Sequence, residues 1–216
     1  SELSAVLAKQ IALEATPLTK AKLWYRRALL SRDILEDESE ALRCLKEAVA
    51  AAPQFVEAVS ALRQASIASG DWGLAVQLVK REIDHQTEPS RLAELYMSLG
   101  KLFEEHIHQP SKALEAYGAA LAYDTSNPKP AEALARTLSY QGRWVEAAKL
   151  IEEFVERRAG VDKGPLFSRA AQLYTRAGDR KGAKRVWLRV LEETDEMNWP
   201  GAIEGVLASL EENEEA

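Results

Sequence analysis

His106 and His108 stand two residues apart in the run HIHQP, and with His85 they are the only histidines in 216 residues. Two imidazoles with a third ligand could hold a metal ion. Residues two apart on a helix point to different faces, however, and no third ligand follows at a suitable spacing. The run ends at Pro110 and reads as a slightly lengthened loop between helices, not as a metal site. The single cysteine, Cys44, could act as a nucleophile, but it lies beside Leu45 in a helical stretch. Free cysteine in that setting is most often a small buried hydrophobe. One cysteine builds neither a disulfide framework nor a cysteine-ligated zinc site within one chain, and it leaves the compartment open. Glycines come singly, so there is no phosphate-cradling loop, and no G-x-S-x-G elbow occurs. These readings predict no catalytic residue, no metal and no cofactor.

The elements that would position a site are helical. Hydrophobic residues make up 46% of the chain, and the 11 Gly and 8 Pro fall mostly at the ends of periodic segments. Abundant Ala, Leu, Glu, Lys and Arg favour helix because they lose little freedom there. The formal charge is −6. From Glu192 onward there are nine acids and no Lys or Arg, which leaves 28 bases against 25 acids in the body. So weak a positive field argues against a nucleic-acid partner, and the acidic end reads as a solvated terminus. No apolar stretch approaches the roughly 18 residues that would cross a bilayer, so no membrane insertion is expected. The start, SELSAVLAKQ, has no basic segment followed by an apolar run.

The phrase QGRWVEA at 141–147 has counterparts in SGDWGLA at 69–75 and AGDRKGA at 177–183. In each, a Gly precedes an Ala by five positions. Alignment on that Ala gives Ala5, Ala41, Ala75, Ala113, Ala147 and Ala183, spaced by 36, 34, 38, 34 and 36 residues. A period in the mid-thirties along the whole chain is a solenoid signature. Each unit has a first helix with an apolar or small stripe, such as Phe167, Ala170, Ala171 and Tyr174. A Gly turn follows, and then a second helix carrying the Ala with a larger apolar residue four positions on.

This arrangement resembles the tetratricopeptide repeat, W-x2-L-G-x2-Y followed by A-x3-F and P. Tyr96-x2-Leu99-Gly100-x2-Phe103 with Ala113-x3-Tyr117 resembles it well, as does Phe167-x2-Ala170-Ala171-x2-Tyr174 with Ala183-x3-Trp187. Pro17 and Pro53 follow Ala5 and Ala41 by twelve residues, where the family places its Pro. The first two units depart from the pattern at Arg27, Ser31, Arg63 and Ser66, and the Pro position holds Thr87, Ala159 and Asp195 in later units. The resemblance implies an all-α, right-handed α-solenoid of stacked antiparallel helix pairs in one domain. Its expected parts are a half repeat at 2–16, repeats at 20–53, 54–88, 91–127, 128–160 and 163–196, and a capping helix at 199–212 with an acidic outer face. The half repeat makes this chain read as a section of a longer repeat protein. Trp24, Trp72, Trp144 and Trp187 fall at packing positions of the unit and read as core; Trp199 reads as packing of the cap.

In the family the first helices line a concave groove that receives a protein or peptide. That implies a partner-binding surface of Met97, Lys101, Arg136, Tyr140, Arg169, Gln172 and Arg176, with neighbours such as Glu132, Ser139 and Thr175. Its cationic character toward the later units suits carboxylates, which arginine grips in bidentate geometry. No Asn lies on a first helix, so the Asn-based clamp that some relatives use for a terminal carboxylate is not expected. The expected role is a protein-interaction scaffold. The alternative is a structural, homo-oligomerising or regulatory module of a larger enzyme or transport assembly.

Overall fold

A computed structural model describes residues 2–157, 163–193 and 199–210. Ala159, Asp195 and the acidic run after Leu210 lie outside these residues, as does the side chain of Trp199. Among the described residues there are twelve α-helices and no strand. The chain divides into two compact units, Ser1–Ile107 and His108–Ala216, and the division falls between the two helices of the third pair.

The first unit holds α1 (Glu2–Leu13), α2 (Pro17–Asp33), α3 (Glu38–Ala51), α4 (Val56–Ala68), α5 (Trp72–His85) and α6 (Pro89–Lys101). A π-helical turn, Leu102–His106, continues α6. The second unit holds α7 (Pro110–Tyr123), α8 (Pro128–Tyr140), α9 (Trp144–Glu156), α10 (Lys163–Arg176), α11 (Arg180–Glu193) and α12 (Trp199–Leu210). Within each unit every helix packs on the next in the chain.

Local chemistry sets where the helices begin and end. Pro opens α2, α6, α7 and α8, where its missing N–H has no intrahelical role. The recurring Gly phrase forms the same turn three times. Gly70, Gly142 and Gly178 have φ of 77°, 75° and 73°, the left-handed conformation that closes a helix. In each, the Gly N–H reaches back three residues and the next N–H reaches back five. The pairs are Gly142 to Ser139 and Arg143 to Leu138, both 3.0 Å. This double closure satisfies carbonyls that the helix end would otherwise leave unpaired. The residue after the Gly then starts the next helix. Asp71 accepts from the Leu74 N–H at 3.1 Å and Asp179 from the Gly182 N–H at 2.9 Å. Arg143 replaces Asp in the middle copy and instead forms a forked pair with Glu146.

Each unit has its own apolar core. In the first, Ala28, Leu45, Ala48, Ala58 and Leu62 are central. In the second, Ala135, Ala147, Ile151, Phe167, Ala171, Tyr174, Ala183 and Trp187 are. The repeating Ala is shut from water in all five complete pairs, at 0–5% exposure for Ala41, Ala75, Ala113, Ala147 and Ala183. Gly100, Ala135 and Ala171 are buried as well.

One expectation is corrected here. The extra length of the third repeat is not all loop. Leu102–His106 winds as a π turn, with the Ile107 N–H reaching back five residues to the Leu102 carbonyl at 3.0 Å. The helix thus absorbs added residues by widening. The described part of α12 carries apolar side chains and Glu204 together on its exposed side. Ile203 and Leu207 are 47% and 51% exposed there, and Glu204 is the helix's only charged residue.

Candidate functional site

Two of the residues that could have done chemistry, Cys44 and His106, are held in structural roles. Cys44 is fully buried in α3, with Sγ 3.5 Å from Glu40 Oε1. Burial first, and then the Glu40 carboxylate, pushes its thiol up to about 11. A nucleophilic cysteine needs the opposite shift. His106 ends the π turn and stacks on Trp72, with centroids 3.7 Å apart and planes 3° from parallel. Among the described residues no cluster of three His, Cys, Asp or Glu side chains could hold a metal, and no helix is long and apolar enough to cross a membrane. Trp187 is core, whereas Trp24, Trp72 and Trp144 are only half-buried, each with a cation or ring on its open face.

The first helices present polar stripes. On α10 the buried residues Phe167, Ala170, Ala171 and Tyr174 leave Arg169, Gln172 and Arg176 on one exposed stripe, at the spacing of a single helix face. Neither Arg169 nor Arg176 forms an ion pair with a described residue; Arg176 lies over the Trp144 ring at 5.9 Å. On α8, Tyr140 is 79% exposed and Arg136 half-buried. Met97 and Lys101 lie on α6 in the first unit, half-buried and exposed respectively. Ser139 is a correction: it faces inward, and its hydroxyl donates to the Ala135 carbonyl at 2.6 Å. Thr175 makes the same inward bond to Ala171 at 3.0 Å, although it remains exposed.

Gln172 and Arg176 also line a cleft of about 600 Å³ in the second unit. Thr175 and Gly178 complete its α10 side, Ala183 and Trp187 supply an apolar wall from α11, and Gly205 and Ala208 close it from α12. A Cβ at Gly205 would come within 2.3 Å of the Trp187 ring, so glycine is what lets α12 lie against that ring. The cleft therefore combines two cations, Arg176 and Arg180, and an amide with an indole wall. That combination suits an apolar side chain beside a carboxylate.

No family model matches the sequence, and no curated protein matches it. Solved structures do match. The crystal structure of MamA superposes with a TM-score of 0.57 at 21% identity, over 80% of this chain and 90% of that one. YrrB, described as a TPR protein with an unusual peptide-binding site, gives 0.56 at 16% identity, over 92% and 97%. The C-terminal part of a TPR repeat-containing protein from Cytophaga hutchinsonii gives 0.59 at 15% identity, over 98% and 91%. The chain has the tetratricopeptide-repeat fold.

Within that fold the departures in the first two repeats acquire a physical reason. Arg27 and Arg63 stand where the tetratricopeptide pattern carries apolar or small residues. Each meets a glutamate instead: Arg27 Nη2 lies 2.8 Å from Glu40, and Arg63 Nε lies 2.6 Å from the buried Glu82. Ser66 replaces the aromatic and turns its hydroxyl to the Leu62 carbonyl at 2.8 Å. A related network missed by sequence reasoning holds the fifth repeat. Buried Glu152 accepts from Tyr174 Oη at 2.7 Å and from both Nη atoms of Arg185 at 2.6 and 2.9 Å. Burial, then the bond to Glu152, raises the Tyr174 phenol well above its ordinary value. The partners of Glu82 and Glu152 lie 19 to 33 residues away in the chain, so no local pattern marks them.

Proposed function

We propose that the chain is a protein-interaction scaffold whose second unit grips an extended, acidic segment of a partner. Arg169 and Arg176 bind carboxylates of that segment, and Gln172 takes a main-chain group. An apolar side chain enters the cleft against Trp187. Arg136 and Tyr140 on α8 extend the polar surface offered by first helices, and Met97 with Lys101 contributes a separate stretch on the first unit. The observation that carries this reading is the stripe on α10: two exposed arginines with no carboxylate partner among the described residues, beside a cleft with an aromatic wall. YrrB, which has the same fold, is described by its peptide-binding site, which supports a peptide as ligand. The alternative role, as spacer and oligomer contact in a larger assembly, would leave the stripe without a ligand.

The test is fluorescence polarisation with a library of acidic and neutral peptides. Acidic peptides carrying an apolar residue bind, and Arg169→Glu with Arg176→Glu weakens them at least about tenfold, because each charge-assisted contact contributes about 1.5–3 kcal/mol. Circular dichroism of the double variant stays unchanged, since both side chains are exposed. Binding that survives the reversal within about threefold sinks the groove reading.

A further inference from the structure

In the first unit α3 and α5, the second helices of two successive pairs, both pack on α4. Between them runs a groove of about 660 Å³. Each helix gives it a stripe at the spacing of a single face: Lys46 and Val49 from α3, and Leu74, Leu78 and Arg81 from α5. Ala50 and Gly73 also line it, where longer side chains would occupy the space. Pro53 and Arg81 line this groove and also a second cleft, of about 290 Å³. The walls of that cleft include Val56 of α4, His85 of α5 and Arg91 of α6.

Arg81, common to both, is half-buried. Arg27, Arg63, Arg91 and Arg189 are half-buried too, and each lies on a carboxylate. Among the described residues Arg81 has none, although Glu82 and Asp84 stand close by in the sequence. The carboxylates that line the two clefts are engaged elsewhere. Glu82 is buried and pairs with Arg63 at 2.6 Å, and Asp71 caps α5 by accepting from the Leu74 N–H. Lys46, exposed on α3, is likewise without an ion pair among the described residues. A guanidinium partly withdrawn from water and unpaired favours an incoming anion, which it can grip in charge-assisted hydrogen bonds.

We propose that the first unit binds an acidic segment of a protein partner along the groove between α3 and α5. One carboxylate of the segment pairs with Arg81 and another meets Lys46, while an apolar side chain packs over Leu74 and Leu78. Beyond Arg81 the segment enters the smaller cleft beside His85 and Arg91. Charge complementarity selects this occupant: open cations and engaged carboxylates around an apolar lining. A nucleic acid is not selected, because Ser1–Ile107 carries 13 bases against 16 acids and a phosphate backbone needs a wider basic field. The groove belongs to second helices, so this inference uses neither α10 nor its cleft and goes beyond the reading above. With both, the scaffold holds one acidic segment on each unit.

Fluorescence polarisation tests it on the full chain carrying Arg169→Glu with Arg176→Glu, in which the α10 stripe is reversed. The probes are labelled peptides of Asp, Glu and Leu, beside matched peptides of Asn, Gln and Leu. The acidic peptides bind, and the neutral ones bind at least about tenfold more weakly. Adding Arg81→Glu weakens the acidic peptides about tenfold, the loss of one charge-assisted contact. Adding Lys46→Glu at its exposed site weakens them about threefold. In heteronuclear NMR spectra the acidic peptides shift the Arg81 Nε–H signal and the amides of α5. Circular dichroism verifies folding; where Arg81→Glu loses helix, Arg81→Gln removes the charge in its place. Acidic peptides that fail to bind the α10-reversed chain, or that bind equally well once Arg81 is changed, overturn the proposal. So does a labelled single-stranded RNA that binds this face more tightly than the peptides. Failure of the α10 reading looks different: Arg169→Glu with Arg176→Glu then leaves binding unchanged, while Arg81→Glu still weakens it.

Discussion

A Cβ added at Gly142 would meet nothing within 4 Å, so any cost of Gly142→Ala comes from holding φ at 75°. A left-handed residue with a side chain costs about 1–2 kcal/mol, and the urea midpoint of the variant should fall accordingly. Glu36 supplies the converse test. It holds φ at 52° with a side chain, so Glu36→Gly should raise the unfolding free energy by up to about 1 kcal/mol. A loss there would mean that the Glu36 side chain contributes more than its backbone costs. Gly182 acts differently, because its Cβ would come within 2.7 Å of the Tyr174 ring and the obstacle is steric. Cys44 is buried, and its thiol is pushed up to about 11. It should therefore resist a thiol reagent at neutral pH in the folded chain and react fully in denaturant. Rapid labelling of the native chain would contradict its placement.

At the scale of elements, pairs of helices are tied by charges as well as apolar contact. Arg185→Ala leaves Glu152 buried with only the Tyr174 hydroxyl. Half of Arg185 faces water, so the expected loss is about 2 kcal/mol, below the usual cost of breaking a buried pair. A double-mutant cycle with Glu152→Gln should show strong coupling, and additive losses would show that the pair contributes little. Glu193 offers a pH test. Hydrogen bonds from Lys163 and then Arg189 lower its carboxyl below the ordinary value. A carboxylate lowered on folding stabilises the chain above its unfolded value, about 4.3, and that contribution is lost as pH falls through the lower folded value. Unfolding free energies from urea titrations at pH 6 and pH 3 should therefore differ less in Glu193→Gln than in the wild type, by at most about 0.5 kcal/mol for so open a pair.

At the scale of the molecule, contacts between neighbouring helices dominate, as they do in repeat architectures. Two compact units with separate cores predict unfolding that is not two-state. The calorimetric enthalpy should exceed the van't Hoff value, and equal values would mean that the units melt as one.

Helix type, the repeat period and the Gly turns were determined by sequence alone, because each depends on residues within one or two turns of one another. The 3.6-residue stripe marks a buried face wherever the partner helix lies, and a positive φ selects Gly at 70, 142 and 178. The exposed stripe of Arg169, Gln172 and Arg176 followed from the same periodicity. Tertiary structure decided what depends on distant groups: Arg63 meeting Glu82, Glu152 joining Tyr174 to Arg185, and His106 resting on Trp72. Ser139 turned inward because the Ala135 carbonyl one turn back could take its hydroxyl, a choice open to any helical serine. The exposure of Leu3, Val6, Ile203 and Leu207 was hidden for a related reason. Hydropathy marks a side chain that prefers burial, but only the arrangement of neighbours decides whether anything covers it.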